Sequence, residues 1–390
     1  MQSESESLKE HEKWNGKIEV ISRVKLDNKE IMSLAYTPGV AEPCLAIFEN
    51  NELSYKYTRK HNLVAVITDG TAVLGLGDIG PLASMPVMEG KCALFKEFAD
   101  IDAFPICVDT KNPEEIINTV KLISKSFGAI NLEDISAPRC FYIEKELKKL
   151  CDIPVFHDDQ HGTAVVLLAA LKNSLKLKNI NINEAKIVIN GAGAAGTAIC
   201  DLLIKAGAND IIICDIEGIL CEGMEGLSEH KKRLSELTNH NHIKGYLKDA
   251  VKDRDVFIGV SKPNLLSIND VSQMNNEPII FAMANPVPEI HPSDAKKAGA
   301  FIVGTGRSDF DNQINNVMAF PGIFKGVLAI RAREINDDML IAASEAIASL
   351  VSDDELSVNY ILPKAFDKRL VEAVSKAVMI EGLKNSDCKH

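Results

Sequence analysis

The amino-acid sequence predicts an α/β protein of two domains in which helices cover parallel sheets. Short apolar, β-branched runs alternate with segments of helical periodicity, which is typical of parallel sheets. The chain has 390 residues, which is too long for one ordinary hydrophobic core. A strand-like run near residue 186 leads straight into a glycine-rich turn. We therefore predict an N-terminal α/β domain with parallel strands over residues 1–160, and a C-terminal Rossmann-type domain followed by helices over residues 161–390.

In the first half of the chain, four strand candidates are each followed by polar or acidic residues. The candidates are Leu63–Thr68, Ala103–Val108, Ala129–Leu132 and Pro154–Phe156. Helical patterns lie between them, at Pro113–Ser126 and Cys140–Leu150. The residues that follow the strands include Asp69, Asp109, Glu133–Asp134 and His157–Asp159. Because open α/β sheets bind ligands at the carboxyl ends of their strands, we expect several of these acids to converge.

The second half repeats the alternation of strands and helices. Its strand candidates are Lys186–Asn190, Asp210–Cys214, Val256–Val260, Pro278–Met283 and Phe301–Val303. We place a hinge around Asp159–Gly162, followed by a joining helix over Gly162–Leu177. Gly207 is a plausible helix stop. From Gly322 onward the pattern is almost wholly helical, interrupted at Pro363.

The composition narrows the class of protein. Hydrophobic residues make up 46% of the chain and charged residues 25%, which is the balance of a folded globular chain. The formal net charge is −12, and an acidic surface repels nucleic acids and anionic membranes. We therefore expect neither nucleic acid nor a membrane as a partner.

The N-terminal sequence and the cysteines indicate a cytoplasmic protein. The opening segment, MQSESESLKEHEKW, is polar and acidic and lacks the apolar core of a secretory signal. No stretch approaches the roughly 20 apolar residues of a membrane span. Nine cysteines are scattered along the chain without a CxxC pair, which indicates reduced, mostly buried thiols.

The glycine-rich turn predicts a dinucleotide site. Gly191, Gly193 and Gly196 form GxGxxG directly after a strand and at the start of a helix. This pattern allows a tight turn, close approach of a pyrophosphate and close helix packing. Ala194 and Ala195 complete the turn, where the N-terminus of a helix favours anions. The alternative is a tight turn in an α/β fold that binds no nucleotide.

An acid after the next strand indicates which dinucleotide is preferred. Asp215 follows the third glycine at close to the ~20-residue spacing expected of a ribose-binding acid. Its charge, with that of Glu217, would repel a 2′-phosphate, so NAD is favoured over NADP. The basic run Lys231–Arg233 keeps NADP open, because it can approach the same site in the folded chain.

Several motifs, taken together, resemble the malic enzyme family in its short bacterial form. They are YTPGVAEPC (Tyr36–Cys44), TDGTAVLGLGDIGPLASMPVMEGK (Thr68–Lys91), NLEDI (Asn131–Ile135), FHDDQHGTA (Phe156–Ala164), AMANP and NNVMAFPG. The resemblance runs from about Val24 to Ala329, and the motifs stand in the family's order. It implies that residues 1–160 are the catalytic domain. It also implies metal-dependent oxidative decarboxylation of L-malate to pyruvate and CO₂, with reduction of NAD or NADP, by a homodimer.

The resemblance implies a site for Mg²⁺ or Mn²⁺. By match, Glu133, Asp134 and Asp159 are the metal ligands, and three carboxylates suit a hard cation. Asp158 is expected behind them, orienting a ligand or hydrogen-bonding the catalytic lysine. For any one of these acids alone, a helix cap or a surface charge is the plainer interpretation. His157 and His161 are assigned structural roles, because carboxylates rather than a zinc motif surround them.

The resemblance also implies the groups that move protons. Lys91 matches the general base that takes the 2-hydroxyl proton, and Tyr36 matches the general acid that protonates carbon 3 of enolpyruvate. A lysine is charged at neutral pH, so we expect an adjacent cation and burial to lower the pKa of Lys91. Without the motifs, an ordinary surface lysine and a half-buried tyrosine would be preferred.

Three asparagines are implied at the substrate and the nicotinamide. Asn285 and Asn316 match family asparagines with those contacts, and Asn315 is open to the same role. Capping of loops is the alternative, and it competes most strongly for Asn315.

One position departs from the larger malic enzymes. Ala72 stands where they place an arginine that pairs with a substrate carboxylate. The contacts to the distal carboxylate of malate are therefore unassigned. Backbone amides at Thr71 or Gly75–Gly77, or a residue of a partner subunit, are candidates.

Other functions remain open at this point. Another two-domain NAD(P)-dependent dehydrogenase, such as an amino-acid dehydrogenase, would lack the metal ligands. A lyase that only decarboxylates oxaloacetate would not need the dinucleotide turn. A non-catalytic nicotinamide-sensing module would need none of Tyr36, Lys91 and the three acids. Metal dependence separates the first of these from a malic enzyme.

Overall fold

The computed structural model describes residues 5–73 and 75–384 of the chain. Its first sheet has four parallel strands in the order β2-β1-β3-β4. The strands are β1 (Leu63–Thr68), β2 (Asp102–Cys107), β3 (Ala129–Leu132) and β4 (Val155–His157). The bounds of each strand lie within one residue of the predicted bounds, because short β-branched runs flanked by polar residues are typical of strands.

The second sheet has six strands in the order β10-β9-β8-β5-β6-β7. They are β5 (Lys186–Asn190), β6 (Asp210–Asp215), β7 (Gly218–Ile219), β8 (Val256–Gly259), β9 (Ile279–Ala282) and β10 (Ile302–Thr305). From β5 the chain moves outward to β6 and β7, and then returns to place β8 on the other side of β5. This reversal is the point at which open α/β sheets bind ligands. The strand β7 is antiparallel and was not predicted, since two residues show no periodicity.

The described residues form sixteen α-helices, most of which pack around the sheets. The first eight are α1 (Glu6–Trp14), α2 (Lys29–Ala35), α3 (Ala41–Glu49), α4 (Ser54–Tyr57), α5 (Gly80–Ala99), α6 (Pro113–Ile123), α7 (Arg139–Leu150) and α8 (Asp158–Lys178). The others are α9 (Ala194–Lys205), α10 (Glu229–Leu237), α11 (Leu247–Ala250), α12 (Ile268–Ser272), α13 (Pro292–Lys297), α14 (Phe320–Ala329), α15 (Asp337–Ser349) and α16 (Arg369–Lys384).

The long helix α8 joins the two sheets without a break. The predicted hinge at Asp159–Gly162 is wrong, because these residues form the first turns of α8. Acidic residues are stabilised at the positive N-terminal end of a helix, which favours a start at Asp158 and Asp159. Farther along, Ala164–Leu171 is buried on every side, as expected of a helix inside a protein.

One hydrophobic core extends across both sheets. It includes residues of β1 and α5 as well as of β5, α14 and α16. Phe95 of α5 packs edge-on against Phe320 and Phe324 of α14, with ring centroids 4.8 and 5.0 Å apart. The C-terminal helices therefore pack back onto the first sheet as well as extending the second.

The first part of the chain lies on the surface of this body. No residue from 5 to 58 is buried, and we call this segment the N-terminal arm. It nevertheless exposes twelve large apolar side chains: Leu8, Trp14, Val20, Ile21, Val24, Leu26, Met32, Leu34, Tyr36, Leu45, Phe48 and Tyr57. Such a concentration of exposed apolar surface marks an interaction site.

The cysteines and the helices bear on two further expectations. The eight cysteines among the described residues are all unpaired, and six of them are buried. Cys388 lies outside the described residues. Within the described part of the chain, no helix has both the length and the apolarity needed to cross a membrane.

Candidate active site

Three carboxylates meet at the carboxyl edge of the first sheet. Glu133 and Asp134 directly follow β3, and Asp159 lies in the first turn of α8, just after the neighbouring strand β4. Their nearest ligand oxygens all lie within 4.8 Å of one another. The backbone N–H of Asp134 donates to Asp159 Oδ2 at 2.8 Å. Asp134 has a φ of 54°, a left-handed conformation that is uncommon outside glycine and is often found at functional sites.

The electrostatics of these acids suit a divalent cation. Burial raises the pKa of Glu133 to about 7, although Lys91 opposes that change. Burial also raises the pKa values of Asp134 and Asp159, and the charge of Asp159 adds to the effect on Asp134. Asp134 Oδ2 is buried and has no hydrogen-bond partner. Three crowded carboxylates with one unsatisfied oxygen fit an oxygen-coordinated cation such as Mg²⁺ or Mn²⁺.

Lys91 lies in α5 and contacts two buried carboxylates, that of Glu133 in the cluster and that of Asp158 beside it. Its Nζ is 2.9 Å from Glu133 Oε1 and 2.5 Å from Asp158 Oδ2, and its side chain is 7% exposed. Burial by itself lowers the pKa of Lys91, but the charges of Asp158 and Glu133 outweigh it and hold that pKa above its ordinary value. The expected lowering of this pKa by an adjacent cation and burial therefore stays a prediction for the metal-bound site. The sequence did not show how closely both carboxylates contact the amine.

Phe320 is a contact of Lys91 that the sequence did not indicate. Lys91 Nζ lies 4.3 Å from the centroid of the Phe320 ring, within the range of a cation–π interaction. Phe320 belongs to the FPG part of a matched motif. The apolar face of a helix offers no local sign that one ring faces an amine.

Asp158 connects the lysine to Asn316, in the short turn that precedes α14. Its Oδ2 accepts a hydrogen bond from Asn316 Nδ2 at 2.7 Å, in addition to the bond from Lys91. Asn316 is thus placed at the site. Asn315 instead accepts the backbone N–H of Val317 at 3.0 Å through its side chain, which is the capping role named as its alternative.

Gly162 is a further residue that the site requires. A Cβ at this position would lie 1.9 Å from Asp158 Oδ1 and 3.1 Å from Asn316 Cβ. Any larger side chain would push these two groups away from Lys91. The HDDQHGTA motif contains this glycine, but only the packing around Asp158 and Asn316 explains why a glycine is needed there.

Most of the backbone groups suggested for the distal malate carboxylate are already engaged. The N–H of Thr71 donates to Asp69 Oδ1 at 3.1 Å, and the N–H of Gly77 donates to Val73 O at 2.8 Å. The hydroxyl of Thr71 also donates to Asp69 Oδ1. Of those suggestions, Gly75 and a residue of a partner subunit remain.

The glycine-rich turn has the geometry of a phosphate site. Gly191 follows β5 with a φ of 118°, and Gly193 caps α9, whose first residues are Ala194 and Ala195. A Cβ on Gly196 would lie 1.8 Å from Gly191 O, whereas one on Gly193 would meet nothing within 4 Å. The third glycine is thus required by packing, and the second leaves open space at the N-terminus of a helix for a pyrophosphate.

Asp215, at the end of β6, is partly neutralised. Lys231 Nζ lies 2.8 Å from Asp215 Oδ2 and 2.8 Å from Glu217 Oε1. Of the basic run, Arg233 instead pairs with Asp201, at 2.7 Å. Between these two cations, Lys231 is the one that reaches Asp215, the acid predicted to bind the ribose.

Asn285 lies in the loop after β9, where the two sheets approach each other. A Cβ on Gly75 of the first sheet's glycine-rich segment would lie 3.2 Å from Pro286 Cδ and 3.4 Å from Asn285 O. This loop therefore brings the dinucleotide side of the molecule against the segment that leads into α5.

Tyr36 is the one predicted catalytic residue that the fold does not bring to the others. It caps the C-terminus of α2 in the N-terminal arm and is 70% exposed. Among the described residues, no hydrogen bond or ring contact joins its side chain to Lys91 or to the three acids. The chain by itself therefore assembles the site without its phenol.

A Rossmann-type sheet with a glycine-rich turn, and three clustered carboxylates beside a buried lysine, together indicate a nicotinamide-dependent dehydrogenase whose carboxylates could hold a metal ion. A family model described as the malic enzyme N-terminal domain matches residues 15–148, and one described as the malic enzyme NAD-binding domain matches residues 160–385. The chain belongs to the malic enzyme family.

Individual relatives agree with this assignment. A bifunctional malic/malolactic enzyme of Bacillus subtilis (strain 168) is 56% identical over 379 residues, which cover 97% of this chain and 92% of the relative. An NADP-dependent malic enzyme of Escherichia coli (strain K12) is 45% identical, and the match covers 94% of this chain and 51% of that protein. The crystal structure of an NAD-dependent malic enzyme from Thermotoga maritima is similar, with a TM-score of 0.93 and 48% identity, covering 96% of this chain and 99% of that chain.

These findings confirm the predicted family, the α/β fold with parallel sheets and the enzymatic class. The reaction of the family is the oxidative decarboxylation of malate with reduction of a nicotinamide dinucleotide. Membership decides against the unrelated dehydrogenase and against the sensing module. The relatives include both NAD-dependent and NADP-dependent enzymes, so they do not select between the two dinucleotides.

Proposed function

We propose that Lys91 and the three clustered carboxylates form the centre at which this chain oxidises L-malate and decarboxylates the product to pyruvate. The observation that carries the proposal is the position of Lys91 Nζ, which lies 2.9 Å from Glu133 Oε1. Glu133 is one of three acids whose ligand oxygens all lie within 4.8 Å of one another. A base and a metal site are then within reach of one small substrate.

Glu133, Asp134 and Asp159 would hold Mg²⁺ or Mn²⁺ through their carboxylate oxygens. When bound, such a cation supplies Lewis-acid stabilisation of the substrate's 2-oxygen and of the enolate left by decarboxylation. Lys91 would accept the proton of the 2-hydroxyl as hydride leaves carbon 2, once a cation on the cluster offsets the charge of Glu133 and burial can lower the pKa of the amine. Asp158 and Asn316 hold the amine in place, and Asn285 contacts the substrate and the nicotinamide from the other side of the cleft.

The function is tested by assaying the purified protein with L-malate, Mn²⁺ and NAD, measuring NADH and pyruvate together. Glu133→Gln is expected to raise the Mn²⁺ concentration needed for half-maximal activity at least about tenfold, because one charged ligand is lost. Asp255→Asn is the matched control, since Asp255 is a buried acid remote from the cluster. An unchanged Mn²⁺ requirement in Glu133→Gln would remove this residue from the ligand set.

For Tyr36 we propose that a second copy of the chain supplies the phenol, within a homodimer. The N-terminal arm exposes twelve large apolar side chains and buries none of its residues, so a partner surface is needed to cover it. Tyr36 lies in the same arm and is 70% exposed. If the arm packs across a twofold axis, its tyrosine can reach the other subunit's site and protonate carbon 3 there.

Mixed dimers test this arrangement. Tyr36→Phe and Lys91→Ala proteins, each inactive alone, are unfolded together and refolded at equal amounts. If the tyrosine acts across the dimer, each heterodimer has one complete site, so activity returns to about a quarter of wild type. If both residues act within one chain, no mixed dimer has a complete site and the mixture stays inactive.

For the dinucleotide, we propose NAD rather than NADP as the preferred substrate. Asp215 and Glu217 place two negative charges around the single ammonium of Lys231. The local excess of negative charge disfavours a 2′-phosphate. Parallel assays with NAD and NADP at fixed Mn²⁺ check the preference.

Two further assignments complete the proposal. We place the division between the catalytic and dinucleotide-binding domains at residues 160 and 161, supported by one sheet on either side of this point. We also propose a cytoplasmic location, supported by the unpaired cysteines of the described chain.

A further inference from the structure

A buried carboxylate connects the two loops that border the dinucleotide site. Glu289 is 0% exposed. Its Oε1 accepts the backbone N–H of Ser261 at 3.0 Å, and its Oε2 accepts the backbone N–H of Ala284 at 2.9 Å. Neither bond follows from a regular element, since Ser261 lies in the loop after β8 and Ala284 lies in the loop after β9.

Both loops contact groups already placed at the cofactor. A Cβ on Gly191, the first glycine of the phosphate turn, would lie 2.8 Å from Val260 O and 3.1 Å from Ser261 Cβ. The loop after β8 is therefore a wall of the phosphate turn. Ala284 immediately precedes Asn285, so the second loop positions the asparagine proposed for the nicotinamide end.

The fold makes special room for this carboxylate. The last residue of β8 is Gly259, and a Cβ there would lie 2.4 Å from Glu289 Cδ and 2.5 Å from Oε1. Glycine inside a strand weakens the strand and often marks a close approach by another group. A buried carboxylate is also costly unless it is hydrogen-bonded. Among the described residues, no lysine, arginine or histidine forms an ion pair with Glu289, so backbone N–H groups are what compensates its charge.

We propose that Glu289 is a positioning residue for the dinucleotide. One rigid side chain sets the distance between the wall of the phosphate turn and Asn285, and so matches the site to the span from pyrophosphate to nicotinamide. The inference rests on the proposed function, because that function places the nicotinamide beside Asn285. Glu289 touches neither substrate nor cofactor in this role.

Glu289→Gln is the first test. The amide has the same shape, but it keeps one acceptor oxygen and turns an NH₂ group toward a backbone N–H, so one of the two bonds is lost. Loss of a charge-assisted bond corresponds to about a tenfold effect or more. We expect the Kd for NADH, measured by its fluorescence without malate, to rise by about that factor. We expect the KM for NAD to rise together with this Kd. The Mn²⁺ concentration needed for half-maximal activity is expected to change less than the KM for NAD.

Asp255→Asn is the matched control for lost stability. Asp255 is also a buried carboxylate of the second sheet, and it accepts the N–H of Lys186 at 2.9 Å and Asn275 Nδ2 at 2.7 Å. Lys186 opens β5, so these bonds lie at the opposite edge of the sheet from the cofactor. Asp255→Asn is expected to lower the melting temperature while leaving the Kd for NADH unchanged.

Gly259→Ala is an independent second variant. Its methyl group would displace the Glu289 carboxylate without removing it, so the same rise in the Kd for NADH is expected. The inference is overturned if Glu289→Gln and Gly259→Ala lower the melting temperature but bind NADH as the wild type does. It is equally overturned if Asp255→Asn weakens NADH binding to the same extent.

The outcome separates this inference from the proposed function. NADH binding is measured without malate or metal, so it does not depend on the roles of Lys91 and the three acids. A wild type that binds NADH but converts no malate would contradict the proposed function alone. A wild type that converts malate, with variants that keep full NADH affinity, would contradict the role of Glu289 alone.

Discussion

The two carboxylates that contact Lys91 have different surroundings. Glu133 faces the other two clustered acids, whereas Asp158 is wholly buried and also holds Asn316. A cation on the cluster would share the charge of Glu133 but would leave the contact to Asp158 in place. Asp158 therefore acts mainly on the position of the amine, and Glu133 links the amine electrostatically to the other two clustered acids.

Replacing Lys91 is expected to affect both activity and stability. Lys91→Met should lower kcat for malate oxidation by about 10²–10⁴-fold, the usual contribution of a general base. It should also lower the free energy of unfolding by about 3–5 kcal/mol, because Asp158 and Glu133 stay buried without their cation. Steady-state rates and urea denaturation measure the two effects. Lys96→Met is the control, since Lys96 lies on the same helix but is 55% exposed; a comparable loss there would contradict the assignment.

At Asp215, one substitution should change the preference for the dinucleotide. Asp215→Ser removes one of the two acids that hold Lys231, so the ammonium becomes available to a 2′-phosphate. We expect the ratio of kcat/KM for NADP to that for NAD to rise about tenfold or more, as for a new charge-assisted hydrogen bond. In the double variant Asp215→Ser/Lys231→Ala this gain should disappear. A ratio that stays raised without Lys231 would show that another group binds the phosphate.

At the scale of elements, the start of α8 determines the geometry of the site. The helix places Asp158 and Asp159 on successive positions, one toward Lys91 and the other toward the carboxylate cluster. The next turn then has to pass close to Asp158, which is possible because Gly162 has no side chain. The placement of Asp158 in the first turn of α8 thus depends on the glycine at position 162.

Gly162→Ala is therefore expected to disturb catalysis more than folding. The added methyl group would meet Asp158 Oδ1 and force the carboxylate away from Lys91 and Asn316. We expect kcat to fall about tenfold or more, as for loss of one charge-assisted hydrogen bond, while NADH binding stays within twofold of wild type. Gly299→Ala is a glycine control far from the site, in the turn after α13. Because Gly299 has a positive φ, this change is expected to lower the melting temperature while leaving kcat unchanged. Unchanged kcat in Gly162→Ala would show that the helix can shift without cost.

At the scale of the whole molecule, the N-terminal arm is the least packed part of the described chain. Its helices α1 to α4 have no buried residue, whereas α8 and α14 are largely buried. A segment with this much exposed apolar surface is stable only when another surface covers it. The proposed dimer supplies that surface and completes the site with the same contact.

A charge placed in the arm should therefore separate the subunits. Phe48 of α3 is 86% exposed, and Phe48→Asp is expected to shift the protein from dimer to monomer in analytical ultracentrifugation. Malate oxidation should be lost with the dimer, while NADH binding is expected to be retained because the phosphate turn belongs to the second sheet. Leu122→Asp is the control, since Leu122 of α6 is 71% exposed outside the arm. A Phe48→Asp protein that remains a fully active dimer would exclude this face from the interface.

The sequence by itself determined the strands other than β7, the glycine-rich turn and the acids that cluster at the edge of the first sheet. Runs such as Leu63–Thr68 and Lys186–Asn190 predict strands from their own residues. The six positions of GxGxxG predict a tight turn at the start of a helix. The cluster acids follow strands whose carboxyl ends must share one edge of a parallel sheet. In each case the physical constraint acts between neighbours in the chain or on a regular element, so a local pattern is enough.

Only the tertiary structure decided which side chains touch. The contacts of Lys91 with Asp158, of Lys231 with Asp215, and of Glu289 with two loops join residues that are distant in the chain or lie outside regular elements. Their distances depend on how helices pack on sheets, which no local pattern records. For the same reason the sequence did not show that Asp158 and Glu133, brought from another part of the fold, raise the pKa of Lys91 when no cation is bound. The exposure of Tyr36 likewise depends on tertiary structure, because the rest of the molecule does not cover the N-terminal arm in which this residue lies.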